Sequence, residues 1–309
     1  MTGLEASSLE PQGPVASAAA DLWWLMLWLG TAVFIVVIGL LVVGLTRRQL
    51  SPEGEDSPTS ERWLRGGVVI TIALLAIVFG ATLVAMRQVQ AEPPPGALEI
   101  EIVGHQWWWE VHYPAGGATT ANELHLPVGR PVALRLTSAD VIHSFWVPAL
   151  AGKIDLLPDG TNTLVLQADE PGEHKSTCAE FCGLQHYQMG LRVVAEPAGA
   201  FADWIESQRE PALEPDGATA GRGRDLFMGS DCATCHTVRG TPADGDVGPD
   251  LTHLASRQEL GAGALPNTPM DLASWVANPH TVKEGVDMPA AGLSQEEIDA
   301  IVAYLGTLE

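Results

Sequence analysis

The chain has 309 residues, with 38 acidic against 16 basic side chains and a formal net charge of −22. Such a surface repels nucleic-acid phosphates, which argues against that class of partner. The length holds two soluble domains, or membrane spans plus two small ones, and all four cysteines fall in two short segments.

From Leu22 to Thr46 there are 25 residues without a charge, and from Gly66 to Met86 there are 21. Each run is long enough to cross a bilayer as a helix. No Lys or Arg precedes Arg47, so the basic start of a signal peptide is missing and a retained anchor is expected. The connecting loop carries Arg47, Arg48, Arg62 and Arg65, whereas Glu5, Glu10 and Asp21 are the only charges before the first run. The positive-inside rule places the loop in the cytoplasm and both ends of the chain outside, at the periplasmic face of a bacterial inner membrane. From Glu92 onward there are 31 acidic and 11 basic residues, a net charge of −20, which suits a basic protein partner as well as plain solubility.

A stiff linker follows at Ala91 to Ala97 (AEPPPGA). Then come short apolar runs, including LEIEIVG, WWWEVHY, RPVALRLTS, VIHSFWVP and TNTLVLQA, separated by Pro, Gly and Asp. That rhythm predicts a β-sandwich or barrel. A second linker is expected near Glu210 to Gly221, and the pattern after it is helical. Ser294 and Glu297 have the spacing of a capping box, and Ile298, Ile301, Val302 and Leu305 form the stripe of an amphipathic helix.

Two segments carry chemistry. In Ser176 to Gly190 (STCAEFCGLQHYQMG) the spacing is Cys178-x3-Cys182-x3-His186-x2-Met189, and His143 ends an apolar strand upstream. Thiolate and thioether sulfur select soft metals, and imidazole suits copper or zinc. A Met beside Cys and His favours copper, since structural zinc sites use Cys, His and carboxylates. Two thiolates four residues apart can bridge two coppers. The competing reading, a Cys178–Cys182 disulfide in an oxidising compartment, leaves the histidines and Met189 without a role.

HSFWVPALAGKIDLLPDGTN and CAEFCGLQHYQM resemble subunit II of the haem–copper cytochrome c oxidases, over about Leu22 to Val194. The resemblance implies two membrane helices followed by a cupredoxin-like β-barrel with a binuclear CuA centre. Its ligands would be His143, Cys178, Cys182, His186 and Met189, with Glu180 contributing its backbone carbonyl. The Glu180 carboxylate would also reach a Mg or Mn ion at the interface with subunit I. GHQWWWEVHYP resembles the aromatic segment through which electrons reach CuA, with Trp107 at the point of arrival. The family's Glu-x-x-Trp at the second helix is one residue short in Glu61-Arg62-Trp63, so Glu61 is either the mouth of a proton channel or a loop charge.

The second segment, Cys232-Ala-Thr-Cys235-His236, is the attachment sequence of c-type haem, with the histidine as iron ligand. Met288-Pro289 follows 52 residues after His236 and resembles the axial Met-Pro of class I cytochromes c; Gly248 to Leu251 (GPDL) resembles the loop preceding it. Met270, Met228, His253 and His280 are the alternatives for that ligand. Together the halves resemble the caa-type oxidases, whose subunit II carries its own cytochrome c.

The expected fold class is thus a multidomain membrane protein: an extracytoplasmic segment at 1–21, a two-helix transmembrane hairpin at 22–91, a cupredoxin-like CuA domain at 92–200, a linker at 201–218 and an all-α class I cytochrome c domain at 219–309. The resemblance implies that haem c takes electrons from a respiratory donor, a cytochrome c or a quinol-oxidising complex. They pass to CuA, with the linker keeping the local concentration high, and on to the haem of subunit I, where oxygen is reduced to water with proton translocation. Subunit III is a further expected partner. Alternatives are an electron-transfer subunit for a nitric oxide reductase and a copper chaperone or sensor; the covalent haem motif argues against storage. Quinol oxidase subunits share the fold but lack the copper ligands.

Overall fold

The computed structural model describes residues 9–47, 58–89 and 92–309. Glu5, Arg48 and Ala91, used above, lie outside them. The chain divides into two compact units, Val15–Ala91 and a larger one formed by Met1–Pro14 with Glu92–Glu309.

The smaller unit holds helices α1 (Pro14–Arg47) and α2 (Pro58–Val89). At about 1.5 Å per residue both exceed the roughly 30 Å hydrocarbon core of a bilayer. Their apolar side chains stand open, Leu40 68% and Phe79 65% exposed, which water would penalise and lipid would not. The first helix starts eight residues before the uncharged run because Ala16, Ala18, Ala19 and Ala20 extend it. At the head of α2, Glu61 and Arg65 form an exposed i,i+4 pair.

The larger unit begins with a sandwich of two five-stranded sheets. One has the order β3-β2-β1-β5-β8, from β1 (Leu98–His105), β2 (Trp108–Tyr113), β3 (Ala118–Ala121), β5 (Val132–Ser138) and β8 (Asn162–Leu166). The other has the order β4-β10-β9-β6-β7, from β4 (Glu123–Pro127), β10 (Gly190–Glu196), β9 (Gly172–Cys178), β6 (His143–Trp146) and β7 (Ile154–Leu156). The buried-intermediate alternation of β2, β10 and, from Ile100 on, β1 turns one face of each sheet inward, where Ile100, Ile102, Trp109, Leu134 and Phe145 are fully buried. The pairings β1–β5 and β4–β10 are parallel, so distant segments close the sandwich.

Half of the expected linker is structured. Helix α3 (Ala198–Arg209) packs on β3 and β4, with Trp204 stacked on His125 at 3.9 Å and edge-on to Tyr113 at 5.2 Å. Only 210–217 lacks helix or strand before α4 (Ala218–Met228). The remaining elements are α5 (Cys232–Cys235), a short hairpin of β11 (Glu259–Leu260) and β12 (Leu265–Pro266), α6 (Pro269–Ala277) and α7 (Gln295–Leu305). The capping box at Ser294 and Glu297 starts α7, whose buried stripe of Ile298, Ile301 and Leu305 lies across α4. Gly223 allows that crossing, since a Cβ there would collide with the Ala300 carbonyl. Phe227 and Tyr304 meet edge-on beneath it, at 5.7 Å.

Candidate functional site

Three pieces of the sandwich converge on one buried cluster. His143 opens β6 and Cys178 ends β9; these strands are paired at Phe145 and Cys178. The loop from β9 to β10 then carries Cys182, His186 and Met189. It is closed from below, where the Cys178 N–H donates to the Met189 carbonyl at 3.1 Å and the Ala179 N–H to the Ser144 carbonyl at 2.9 Å. Gly104 on β1 leaves room for the His143 ring: a Cβ there would sit 2.9 Å from its Cδ2.

The donor atoms lie close together. Cys178 Sγ is 3.7 Å from Cys182 Sγ, 3.9 Å from His143 Nδ1 and 3.2 Å from the Glu180 carbonyl oxygen. Cys182 Sγ is 3.6 Å from His186 Nδ1 and 3.8 Å from Met189 Sδ. Both thiols are free, which removes the disulfide reading. His143, Cys178, Cys182 and Met189 are buried, and His186 is half-buried. The Cys182 S–H and His143 pull the Cys178 pKa down to about 3, and the bond to Cys178, with burial, pushes Cys182 up. Without a metal the pair thus holds one thiolate and one thiol, and a soft cation would take the place of the shared proton. Sulfur, imidazole and thioether donors in one buried cluster would suit soft metal ions such as copper.

Asp140 was not singled out from the sequence, although its place three residues before His143 was a readable signal. Its Oδ1 accepts from His143 Nε2 at 2.7 Å, and its Oδ2 accepts from the Gln106 N–H at 2.6 Å. That bond leaves Nδ1 toward the sulfurs. Burial opposes charge on His143, but the bonds to Cys178 and Asp140 prevail and raise its pKa. Removing such a partner typically costs a metal site 10–100-fold in affinity, so Asp140→Ala should weaken copper binding by roughly that factor. A chelator competition titration checks this, with haem content as the internal control.

A second site lies in the helical part. Cys232 and Cys235 stand one turn apart on α5, and the His236 Nδ1–H donates to the Pro249 carbonyl at 2.8 Å. Nε2 is then the free lone pair, and burial lowers the ring's pKa so that it stays neutral. Only Gly fits at 248, where a Cβ would lie 2.6 Å from His236 Cε1. A cavity opens here, lined by both cysteines, His236, Met288, Pro249, Leu251, Leu272, Val276 and Ile301. Thiols for two thioether bonds, a neutral imidazole, a thioether and an apolar wall suit haem c.

The alternatives for the second axial ligand fall away. Met270 is 78% exposed, and Met228 packs against the hydrophobic core. Both nitrogens of His253 are bonded, to the Glu309 and Glu210 carbonyls, and His280 is exposed.

The sandwich also walls this cavity, through Gln106, Trp107, Trp108 and Asn122. Trp107 is 8% exposed, and its Nε1–H donates to the Cys182 carbonyl at 3.0 Å, so it joins the cavity to the copper loop. Lys283 lines the cavity too and had no signal in the sequence. It is 1% exposed; burial lowers its pKa to about 7, while three carbonyls match the three donors of its ammonium form.

Comparison with known proteins identifies the domains that carry the two clusters. The family profile described as "Cytochrome C oxidase subunit II, periplasmic domain" matches residues 115–196, and that for cytochrome c matches 220–309. Cytochrome c oxidase subunit 2 of Alkalihalophilus pseudofirmus is 34% identical, covering 98% of this chain and 91% of that protein. The chain belongs to the cytochrome c oxidase subunit 2 family. The corresponding protein of Bacillus subtilis is 26% identical over 98% of this chain and 92% of its own. The crystal structure of the periplasmic domain of subunit II from Bradyrhizobium japonicum shares 30% identity, covering 38% of this chain and 97% of that one, with a TM-score of 0.37.

The subunit is part of a haem–copper oxidase complex and combines two apolar helices, a cupredoxin-like domain and a cytochrome c domain, as its sequence leads one to expect. The two soluble domains imply a CuA centre and a haem c.

Proposed function

We propose that the chain accepts electrons at haem c and delivers them through binuclear CuA to the haem of subunit I in a caa-type oxygen reductase that couples water formation to proton translocation. The observation that carries this reading is the meeting of five side-chain donors in one buried cluster, in the same compact unit as a cavity lined by Cys232, Cys235, His236 and Met288. In it, His143, Cys178, Cys182, His186, Met189 and the Glu180 carbonyl hold the copper pair. Cys232 and Cys235 would attach a haem, and His236 and Met288, which line the same cavity, would serve as its iron ligands.

When bound, the two groups supply one-electron carriers of fixed position. The protein excludes water from them, orients His143 through Asp140 and His236 through Pro249, and places Trp107 between the haem cavity and the Cys182 carbonyl. That position would suit Trp107 to pass electrons toward copper held by the loop.

The domain boundaries follow the same reading, with copper chemistry at 92–200, haem at 219–309 and a connecting stretch at 201–218 whose first part caps the sandwich as α3. Phe181 and Tyr187, both 77% exposed, make the outer rim of the copper loop apolar, which suits a face turned to subunit I. The half-exposed Glu180 carboxylate, 3.8 Å from Lys153 Nζ, is available to a Mg or Mn ion there. Subunit III completes the complex, and the donor is a cytochrome c or a quinol-oxidising complex.

Periplasmic placement in a bacterial inner membrane rests on the arginines between the two spans, which the positive-inside rule puts in the cytoplasm. The Gln12 N–H donates to Ala149 and its carbonyl accepts from Asp169, so the N-terminal segment shares the side of the sandwich, as two intervening spans require.

The test is metal and haem analysis of the full chain purified in detergent. Two coppers and one covalent haem per chain are expected. A single copper, or zinc in its place, overturns the copper assignment.

A further inference from the structure

The two redox domains meet at the copper loop itself. The Gln185 Nε2–H donates across the junction to the Glu284 carbonyl at 2.8 Å, and the Gly190 N–H donates to the Ala262 carbonyl at 2.9 Å. Gly190 has no room for more, since a Cβ there would be 3.0 Å from that carbonyl oxygen. These contacts bracket His186 and Met189.

At their centre is Lys283. Its Nζ donates to the Trp107 carbonyl at 2.7 Å and to the Gln188 and Gly261 carbonyls, each at 2.9 Å. Two of the three acceptors belong to the sandwich and one to the hairpin of the lysine's own domain. All three are backbone atoms, fixed by the fold, so the ammonium reads position rather than net charge. A surface lysine steering a partner would face carboxylates and water; this one is sealed at 1% exposure. Lys283 also sits five residues before Met288, on the segment that lines the haem cavity, while its acceptor Gln188 immediately precedes Met189.

We propose that Lys283 is a positioning residue that locks the cytochrome c domain onto the copper loop, so that the chain operates as one preassembled electron-transfer pair. This rests on the functional reading above, and it replaces the picture of two domains meeting through a flexible tether. The 210–217 stretch then serves as a connection, and the geometry of transfer is set by the lock.

The sequence offers a direct test, because the chain has only three lysines: Lys153, Lys175 and Lys283. Lys153 and Lys175 are exposed. The native full chain in detergent is treated with an amine-reactive ester, and modification at each lysine is timed by mass spectrometry. A locked junction protects Lys283 by more than about tenfold relative to Lys175, as expected of a site reached only through local opening. Labelling at the same rate as Lys175 overturns the proposal. This footprint reads the junction whatever metals are present, so it stands apart from the copper and haem analysis.

The functional arm is Lys283→Met, in which haem is reduced by a light pulse and the arrival of one electron at copper is timed. With both spectra unchanged, transfer should slow by at least about tenfold and become sensitive to viscosity, as for a step gated by domain docking. Lys283→Arg, which keeps the charge and the donors, should recover part of the rate. A wild-type rate in Lys283→Met with intact spectra refutes the lock. If that variant loses its cofactors, the footprint of the unaltered chain decides alone.

Discussion

Cys182→Ser is expected to abolish the binuclear copper centre while leaving the haem untouched. Cys182 Sγ is the hub of the cluster, 3.6 Å from His186 Nδ1, 3.7 Å from Cys178 Sγ and 3.8 Å from Met189 Sδ. Serine preserves the backbone, so the Cys182 carbonyl still accepts from Trp107 and Gln106 and the loop keeps its path. What changes is chemical: a hard hydroxyl replaces the soft thiolate that two coppers would share. Copper should fall from two per chain to one at most. Oxygen consumption should drop at least about a hundredfold, since even a supporting residue around a metal can cost that much. The haem, held by Cys232 and Cys235 on α5, should keep its spectrum and stay reducible. Unchanged oxygen consumption would refute the assignment of Cys182.

The features visible in the sequence are those written in local spacing. The proposed copper donors fall within twelve residues, Cys178 to Met189, and only His143 must be brought from elsewhere; an apolar run holding a His was enough to suggest it, although His143 starts β6 where the sequence suggested the end of a strand. CATCH and the uncharged runs are local in the same way. Long-range pairing was not legible. The parallel registers β1–β5 and β4–β10 join segments far apart in sequence, and the alternation of each strand says which face is buried but not which strand is its neighbour. Helix α3 was readable in principle, because Phe201, Trp204, Ile205 and Gln208 recur at helical spacing. The Pro- and acid-rich residues after it drew attention to a linker instead. Lys283 could not be read at all. Its acceptors are backbone carbonyls, which exist at every position, so no residue type announces the contact.

Met288→Ala should block the arrival of electrons at the haem while leaving the copper centre competent. Met288 lines the cavity that also exposes His236, Cys232 and Cys235, whereas Met270 is 78% exposed and lines no part of it. Met228 is committed to the core around Phe227 and Ile301. His253 cannot substitute, because the Glu309 and Glu210 carbonyls occupy both ring nitrogens. A thioether favours the reduced iron, so its loss should remove the sulfur–iron charge-transfer band and lower the haem potential. The shift should be a sizeable share of the roughly 0.8 V that axial ligation spans. Covalent attachment should survive, as the two cysteines lie on a different segment. Copper should still take electrons from an artificial donor, because its proposed ligands lie wholly between His143 and Met189. Lys283 remains in place five residues upstream, so the junction should also stay closed, and the amine footprint can confirm that the defect is electronic. If the band persists in Met288→Ala and vanishes in Met270→Ala, the cavity's second ligand is Met270 and the segment before α7 must rearrange to admit it.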